Sequence, residues 1–333
     1  INIITATSGD TGSAAVEAFK GISNVNLYVL YPHQRISQIQ RKQMTTSNAK
    51  NVKVFAVQGT FDDCQSVVKE LFADKALVSD VNLSGVNSIN WARILVQIIY
   101  YFSAFYQLKD FSGGKLSFSV PTGNFGDAYA GYISKRMGLP INKIIVATNK
   151  NDILDRVFKT GLYKSDSVSK TLSPSMDIQV ASNFERLLFD LLNNDTKEVR
   201  KLMNNLSNKG HFNLEKRILT KISKDFSSGA VTDNDTIATI NHFHNEREIV
   251  LCPHSAIGVR VAKDFIDAGE TVVSLGTAHP AKFKETVESA LEVSIPIPSA
   301  LEIIMEKQES VRVIPPNKHE VAEEIRKSFL KEN

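Results

Sequence analysis

Two segments rich in glycine and small polar residues hold most of the residues that could do chemistry in this sequence. The first, residues 5–13, reads TATSGDTGS and follows the apolar run at residues 1–4. The second, residues 121–127, reads PTGNFGD and follows the run LSFSV at residues 116–120. Small residues between a strand and a helix let backbone N–H groups face an anion, and the helix N-terminus adds partial positive charge. We therefore predict two anion-binding turns, typical of a cofactor phosphate beside an anionic substrate.

Three other interpretations of the glycine-rich segments fit the residues less well. A dinucleotide fingerprint needs GxGxxG, whereas the first turn offers only Gly9 and Gly12 in GxxG spacing. A P-loop needs a serine or threonine after its lysine, and Gly113-Gly-Lys-Leu116 has leucine there. A helix cap needs one small polar residue, whereas residues 5–13 contain six. We therefore interpret the first turn as a ligand site and the second as a phosphate site.

Further candidate residues lie at other predicted strand ends and at one helix start. Arg93 follows the polar Asn90 near the start of an apolar helix, which suits a phosphate or carboxylate; the alternative is a surface arginine. Thr277 and His279 follow the last predicted strand, where open α/β sheets bind ligands. For His279 we favour a histidine that only stabilises its turn. His254 either binds substrate or supports its turn, and the sequence leaves both possibilities open.

Composition indicates an ordinary folded protein and excludes several classes. The chain has 333 residues, 42% hydrophobic and 23% charged, which suggests two lobes. A net charge of +3 without long basic blocks argues against nucleic acid as a partner. The two cysteines form no CxxC pair, so we expect no disulfide scaffold, no bound metal and a reducing, cytoplasmic location. No apolar run reaches membrane-spanning length, so we expect no membrane partner.

The spacing of apolar residues predicts strands alternating with helices, and hence an α/β fold. Mainly parallel sheets covered by helices are typical of this alternation. We predict a smaller α/β lobe over residues 1–110 and a larger, phosphate-binding lobe over residues 111–300. Within the larger lobe, residues 193–248 are rich in Asn, Lys and Asp, and we interpret them as a surface helical excursion that buries little. Residues 301–333 are predicted to form a charged tail with one amphipathic helix.

Several local predictions depend on short patterns. The run from Ile94 to Phe105 predicts a helix that is apolar nearly all round and therefore buried on most sides. Gly161 is predicted to end a helix over residues 151–160, and Ser182 with Glu185 matches a capping box. The apolar residues 249–252 predict a strand, followed by a helix that Ser255 caps.

The sequence as a whole resembles threonine synthase, a family of pyridoxal-phosphate (PLP) enzymes with the tryptophan synthase β-like fold, known as fold type II. The resemblance runs from the first residue to about Phe283, is weakest across residues 193–248, and is nearest the fungal and enterobacterial branch. The matching strings are ATSGDTGSA (6–14), VNSINWARI (86–94), PTGNFGDAYAGY (121–132), ATNKNDILDR (147–156), SPSMDI (173–178), ASNFERLL (181–188), PHSAIGV (253–259) and TAHPAKF (277–283).

The resemblance implies positions for the cofactor and for the substrate, O-phospho-L-homoserine. The residues expected to bind PLP are Gly123, Asn124, Phe125, Gly126, Asp127 and Thr277. Thr277 is expected beside the pyridine nitrogen, where a neutral hydroxyl leaves that nitrogen less positively charged than a carboxylate would. The residues expected to bind substrate are Ser8, Asp10 and Thr11 near its carboxylate, and Asn90 and Arg93 near its phosphate.

The lysine that carries PLP as a Schiff base in this family has no matching position in the sequence. In the family it precedes the strand that leads into ATSGDTG, in a Phe-Lys-Asp context, whereas this chain begins at that strand. We therefore interpret the chain as lacking an N-terminal segment, with an incomplete first lobe and an unknown catalytic lysine, and expect it to be inactive alone. Lys224 and Lys263 also precede Asp-Phe, and we interpret both as solvated.

The resemblance favours one activity and leaves two alternatives open. The favoured activity converts O-phospho-L-homoserine and water to L-threonine and phosphate. A related phospholyase would release 2-oxobutyrate from the same substrate, because water would not add at the β carbon. A non-catalytic fragment or pseudoenzyme is the alternative from another class, motivated by the missing lysine. The fungal branch implies a monomer.

Overall fold

The computed structural model describes residues 1–7, 9–108, 110, 116–266 and 271–332. In this part of the chain, contacts divide the molecule into two compact units. The first contains residues 1–90, 281–283 and the chain from 295 onward, and the second contains residues 91–280 and 284–294. Gly113 and Gly114, near which the sequence predicts the second lobe to begin, lie outside the described residues.

Strands and helices alternate along the chain, as the hydrophobic pattern predicts. The strands are β1 (Asn2–Ala6), β2 (Asn26–Pro32), β3 (Val52–Val57), β4 (Leu83–Gly85), β5 (Leu116–Pro121), β6 (Ile141–Thr148), β7 (Leu162–Lys164), β8 (His211–Asn213), β9 (Phe226–Ala230), β10 (Val272–Ser274) and β11 (Arg312–Ile314). The helices are α1 (Asp10–Phe19), α2 (Gln38–Thr45), α3 (Phe61–Ala73), α4 (Lys75–Asp80), α5 (Trp91–Leu108), α6 (Gly126–Arg136), α7 (Ile153–Thr160), α8 (Phe184–Leu191), α9 (Thr196–Lys209), α10 (Lys216–Asp225), α11 (Asp233–Arg247), α12 (Pro253–Ile266), α13 (Lys284–Leu291), α14 (Ser299–Met305) and α15 (Lys318–Glu332).

The first unit is built on a parallel sheet with strand order β11-β3-β2-β1-β4. Its central strands are buried on both faces, because helices cover both sides of such a sheet. Ile3 and Leu27 pack on one face with α1 and α2, whereas Ile4 and Tyr28 pack on the other face with α3 and α15. The predicted parallel pairing is confirmed for this unit.

The C-terminal residues belong to this first unit. β11 pairs with β3 at one edge of the sheet, with Ile314 opposite Val57. Val321 and Ile325 of α15 are fully buried in the cluster that contains Cys64. The charged composition of the segment reflects the outer face of an amphipathic helix, and its inner face completes the core.

The second unit is built on a parallel sheet with strand order β10-β5-β6-β9. The prediction that residues 193–248 form an excursion that buries little is wrong, because they supply β9, which pairs with β6. The same segment buries Phe226, Ile218 and Ile222 in the core of this unit. Most Asn and Lys residues in the helices of this segment are exposed, whereas the inner face of α10 carries Ile218 and Ile222, four residues apart.

Two local predictions near strand and helix ends are wrong. Residues 249–252 form no strand; they connect α11 to α12, and Ile249 is exposed. A run of four apolar residues does not identify a strand without a neighbouring strand to pair with. The N-cap of α8 is Asn183 rather than Ser182, and its side chain makes no capping bond. Asn183 donates instead to the carbonyl oxygen of Asn124.

The prediction that α5 is buried on most sides is also wrong. Ile94, Ile98 and Tyr101 form one buried stripe at helical spacing. The apolar residues of α5 with 48–60% of their surface exposed are Leu95, Val96, Ile99 and Tyr100. One buried stripe is enough to pack α5 against α6, so an apolar composition all round does not decide burial. In the described chain, no helix is long and apolar enough to cross a lipid bilayer.

The close packing of α5 on α6 leaves no room for a side chain at Gly131. A Cβ there would lie 2.6 Å from Cε1 and 3.0 Å from the hydroxyl oxygen of the fully buried Tyr101. We expect Gly131→Ala to lower the free energy of unfolding by about 2–4 kcal/mol, since overpacking displaces Tyr101 and weakens its hydrogen bonds. Urea unfolding measures the change. A double-mutant cycle with Tyr101→Leu that returned no coupling energy would contradict this clash.

Candidate functional site

The first candidate turn lies at the carboxyl edge of the sheet in the first unit. β1 ends at Ala6 and α1 begins at Asp10, while β4 runs parallel to β1, so the residues that follow both strands share one edge. Thr7 holds the turn, because its Oγ1 accepts hydrogen bonds from the N–H groups of Gly9 and Gly12, both at 2.9 Å. Thr7 is one of the six polar residues that led us to predict a ligand site, and its hydroxyl group stabilises the turn itself.

The residues predicted near the substrate carboxylate have different surroundings. Asp10 begins α1 and accepts a hydrogen bond from Lys282 Nζ at 2.7 Å, so its negative charge is paired. Thr11 lies in the first turn of the same helix. Ser8 lies outside the described residues. Sequence reasoning missed Lys282, because its contact with Asp10 joins residues that are 272 apart.

Asn90 and Arg93, predicted to bind the substrate phosphate, belong to different compact units. Asn90 is exposed after β4, and its N–H donates to the carbonyl oxygen of Asn87 at 3.1 Å. Arg93 lies half-buried in the first turn of α5, and burial lowers the pKa of its guanidinium from the ordinary value. A guanidinium remains charged in proteins, and partial desolvation strengthens its attraction for an anion.

The second candidate turn joins β5 to α6 at the carboxyl edge of the sheet in the second unit. Phe125 has a left-handed backbone with φ of 66°, and its buried ring lies 6.1 Å from the ring of Phe158 and 5.7 Å from that of Phe184. Asn124 Oδ1 accepts a hydrogen bond from the Gly126 N–H at 2.8 Å. The aromatic anchor and the asparagine together hold the turn in one conformation ahead of α6.

A second segment approaches this turn closely at Gly123. A Cβ on Gly123 would lie 3.1 Å from the Cα of Met176. Asn149 holds the approaching segment, because its Nδ2 donates to the side chains of Ser173 and Asp177, each at 2.9 Å. The SPSMDI string that contributes to the family resemblance therefore packs against the turn.

The geometry of this turn fits the phosphate group of PLP. The N–H groups at the start of a helix have no partner within the helix, and they attract an anion. In α6 the hydrogen bond from the Tyr129 N–H to the Phe125 carbonyl oxygen, at 3.0 Å, begins the helical pattern. The Gly126 N–H donates to Asn124, so the N–H groups of residues 127 and 128 are the ones that lie ahead of this pattern at the helix start. Gly123 and Gly126 place no side chain over them. The donors and the two glycines suit a phosphate group.

Asp127 follows the turn and accepts hydrogen bonds from Tyr101 of α5. The Tyr101 hydroxyl lies 2.7 Å from the backbone carbonyl oxygen of Asp127 and 3.2 Å from its Oδ1. Burial raises the pKa of Asp127 from 3.8 to about 6, and the hydrogen bond from Tyr101 opposes this rise. A carboxyl group that ionises with difficulty opposes an incoming phosphate less than a fully charged one would.

The raised pKa of Asp127 makes folding stability depend on pH. Because the folded state binds this proton more tightly, the stabilisation is complete below about pH 4 and is lost as the pH rises to about 6. Above that pH, we expect the free energy of unfolding of Asp127→Asn to exceed that of the wild type by about 2–3 kcal/mol. At about pH 3.5 this difference should vanish. Urea unfolding across this pH range measures it, with Asp80→Asn at an exposed position as the control. A difference that does not change with pH would contradict the expectation.

Thr277 lies at the same sheet edge as the second candidate turn, since β10 pairs with β5 and Ser274 lies opposite Ser119. The Thr277 N–H donates to Ser255 Oγ at 3.1 Å. The prediction that Ser255 caps α12 is wrong, because the helix begins two residues before it. Ser255 Oγ lies 3.2 Å from Cys252 Sγ and holds the segment that carries Thr277.

The fold gives the surroundings of the two candidate histidines and of the two lysines predicted to be solvated. His254 is buried in α12, and its Nε2 accepts a hydrogen bond from the Ser175 N–H at 3.1 Å. A ring nitrogen that accepts a backbone N–H carries no proton of its own, so this contact supports the segment that packs against Gly123. His279 is exposed. Lys224 and Lys263 are exposed, which confirms the interpretation of both as solvated.

Two family models match the chain. The model described as "Pyridoxal-phosphate dependent enzyme" matches residues 1–205. The model described as "Threonine synthase, C-terminal" matches residues 255–325. Together they include both candidate turns and the segment after β10.

Several similar proteins and solved structures are threonine synthases. Threonine synthase from Pseudomonas aeruginosa is 46% identical over 94% of this chain and 67% of its own length, and that from Saccharomyces cerevisiae is 48% identical over 87% and 60%. The crystal structure of PLP-bound threonine synthase from Brucella melitensis has a TM-score of 0.88 and 46% identity over 98% of this chain and 70% of that chain. A PLP-dependent aspartate racemase, 14% identical with a TM-score of 0.58, shares the fold. The chain thus spans about 60–67% of the length of the two curated relatives named here.

Proposed function

The chain belongs to the threonine synthase family of PLP-dependent enzymes, and from that premise we propose that the protein converts O-phospho-L-homoserine and water into L-threonine and phosphate. The observation that carries the proposal is the turn over residues 123–126. It combines two glycines, a left-handed phenylalanine and the N-terminus of α6 in a chain of this family.

PLP is the cofactor of this family, and residues of the second unit are suited to hold it. The turn over residues 123–126 would bind the PLP phosphate, with Asp127 directly behind it. Thr277 would meet the pyridine nitrogen, and its bond to Ser255 supports that position. When bound, PLP withdraws electrons from an amino-acid substrate, so that protons can leave the carbons near its amino group.

The substrate would be held at both of its anionic ends. Near the carboxylate, Thr11 and the N-terminus of α1 attract negative charge, and Lys282 neutralises Asp10 so that its carboxylate does not repel the ligand. Near the phosphate, Arg93 would supply a charged fork. A grip at both ends orients the bond to the departing phosphate and stabilises the charge that grows on it.

The cellular location, the class of substrate and the oligomeric state are also part of the proposal. Both cysteines are buried free thiols, which supports a reducing location such as the cytoplasm. The small net charge of +3 supports a small-molecule substrate rather than nucleic acid. The resemblance to the fungal branch supports a monomer.

Product analysis tests the proposed activity with the complete protein, PLP and O-phospho-L-homoserine in water labelled with ¹⁸O. We expect phosphate and threonine in equal amounts, with the label in the threonine hydroxyl. Phosphate with 2-oxobutyrate and no threonine would overturn the proposal in favour of a phospholyase. Absence of phosphate release would favour the non-catalytic alternative.

A further inference from the structure

The side chain of Gln40 is fully buried beside the first candidate turn. Gln40 lies in the first turn of α2 and forms a capping box with Ser37, which precedes the helix. Its Oε1 accepts hydrogen bonds from the Ser37 N–H at 3.4 Å and from the Ser37 hydroxyl at 3.3 Å. Because a backbone N–H requires an acceptor, this pairing assigns the amide oxygen to the helix cap and directs Nε2 away from it.

The Nε2 of Gln40 faces Gly9, in the centre of the turn. A Cβ on Gly9 would overlap the Gln40 amide, at 2.5 Å from Cδ and 2.7 Å from Oε1, with Nε2 nearest of all. Gly9 has φ of 142°, a conformation that L side chains rarely adopt. Within the described residues, Nε2 is buried and has no hydrogen-bond acceptor. No side chain therefore separates the amide donor from the turn.

The neighbouring cations of α2 already have partners. Arg41 Nε and Nη2 donate to the carboxylate of Glu309 at 2.9 and 3.0 Å. Lys42 Nζ donates to the carbonyl oxygen of Lys307 at 2.8 Å. Both bonds lead to the C-terminal part of the first unit. Gln40 differs from these neighbours, because its donor faces the turn and lacks an acceptor in the described chain.

A buried amide donor without an acceptor is unfavourable, so a folded protein that retains one has a reason for it. The turn that Gln40 faces combines the N-terminus of α1 with a neutralised Asp10, and such a turn attracts an anion. We propose that Gln40 Nε2 donates a hydrogen bond to the carboxylate of the amino-acid substrate, a contact that rests on the proposed function. An amide N–H₂ has donors and no acceptor, so it suits the carboxylate and not the ammonium group of that substrate.

Two inert ligands isolate the carboxylate contact in the complete, PLP-loaded protein. One is 2-amino-5-phosphonopentanoate, in which a methylene group replaces the ester oxygen of O-phospho-L-homoserine. The other is 4-aminobutylphosphonate, which is the same molecule without its carboxylate. Calorimetry gives the dissociation constant of each. Gln40→Glu keeps an oxygen for the Ser37 cap, removes the donor and adds a negative charge. Gln38→Glu, at an exposed position of α2, is the control for the charge.

We expect Gln40→Glu to weaken the binding of 2-amino-5-phosphonopentanoate by about 30-fold or more, because a charge-assisted hydrogen bond is replaced by repulsion. Binding of 4-aminobutylphosphonate should change by less than about twofold, as should both constants in Gln38→Glu. At a pH low enough to protonate the introduced carboxyl group, a hydroxyl donor returns and the selective loss should diminish. A residue with only a structural role would affect both ligands equally and show no such recovery.

The outcomes separate this inference from the proposed function. Equal losses of affinity for the two ligands, or no loss of affinity for either, would overturn the role of Gln40 while leaving the proposed function standing. A wild-type protein that binds neither phosphonate would overturn the proposed function and the Gln40 contact with it. If Gln40→Glu fails to fold, Gln40→Met serves as the second variant, and the same selectivity for the carboxylate ligand is required of it.

Discussion

Replacing Gly123 with valine is expected to weaken the binding of PLP by about 100-fold, which corresponds to about 3 kcal/mol of strain. A Cβ at this position would lie 3.1 Å from Met176 Cα and 3.2 Å from the Ser175 carbonyl oxygen, and both are backbone atoms. Asn149 holds that backbone through the Ser173 side chain, so it cannot shift aside easily. The turn must move instead, and the N–H groups that we propose to bind the cofactor phosphate move with it. Fluorescence titration of the apoprotein with PLP measures the dissociation constant.

Matched variants distinguish a local change in the second candidate turn from general loss of folding. Gly123→Ala adds only the Cβ and should weaken PLP binding by about tenfold. Ile178→Val removes the third close contact, a Cδ1 at 3.0 Å, and should not rescue Gly123→Val because the backbone contacts remain. Thermal unfolding of the apoprotein shows whether each variant is folded. A folded Gly123→Val protein with wild-type affinity for PLP would mean that the cofactor phosphate lies elsewhere.

Removing the guanidinium at residue 93 is expected to lower kcat/KM for O-phospho-L-homoserine by about 100-fold in the complete enzyme. Hydrogen bonds to a charged group contribute about 1.5–3 kcal/mol, and Arg93 can offer two of them to one phosphate. Its partly buried position in the first turn of α5 reduces screening by water. Arg93→Ala should also weaken inhibition by inorganic phosphate. Arg93→Lys keeps the charge without the planar fork, and we expect a loss of about tenfold. Steady-state kinetics measure both variants.

A second arginine provides the comparison for this prediction. Arg136 lies in the last turn of α6 and pairs with Asp190 at 2.9 Å, so Arg136→Ala removes a positive charge that is already neutralised. It should leave kcat/KM and phosphate inhibition near the wild-type values. If Arg93→Ala retains normal inhibition by phosphate, or if Arg136→Ala loses as much activity, the assignment of Arg93 to the substrate phosphate is wrong.

Most regular elements could be predicted from local patterns of residue type. β2 and β3 form at continuous apolar runs of the sequence, because strands of a parallel sheet are buried on both faces. Gly161 ends α7 with φ of 82°, as predicted, because glycine adopts that conformation without strain. Both glycine-rich turns also follow strands, because glycine lets the chain turn sharply where a strand ends. The family, the cofactor and the types of residue at the site therefore follow from the linear order of residues.

Contacts between distant segments could not be predicted in this way. The pairing of Asp10 with Lys282 joins residues 272 apart, and β9 enters the sheet from a segment whose composition indicates a surface. The capping box of Ser37 and Gln40 is visible as S-x-x-Q, yet nothing in that spacing places the amide against Gly9. A local pattern records which face of an element is apolar, whereas strand order decides which elements become neighbours. Which donors remain without acceptors, and so are available to a ligand, is settled only by those neighbours, because hydrogen bonds are satisfied by groups brought together in space.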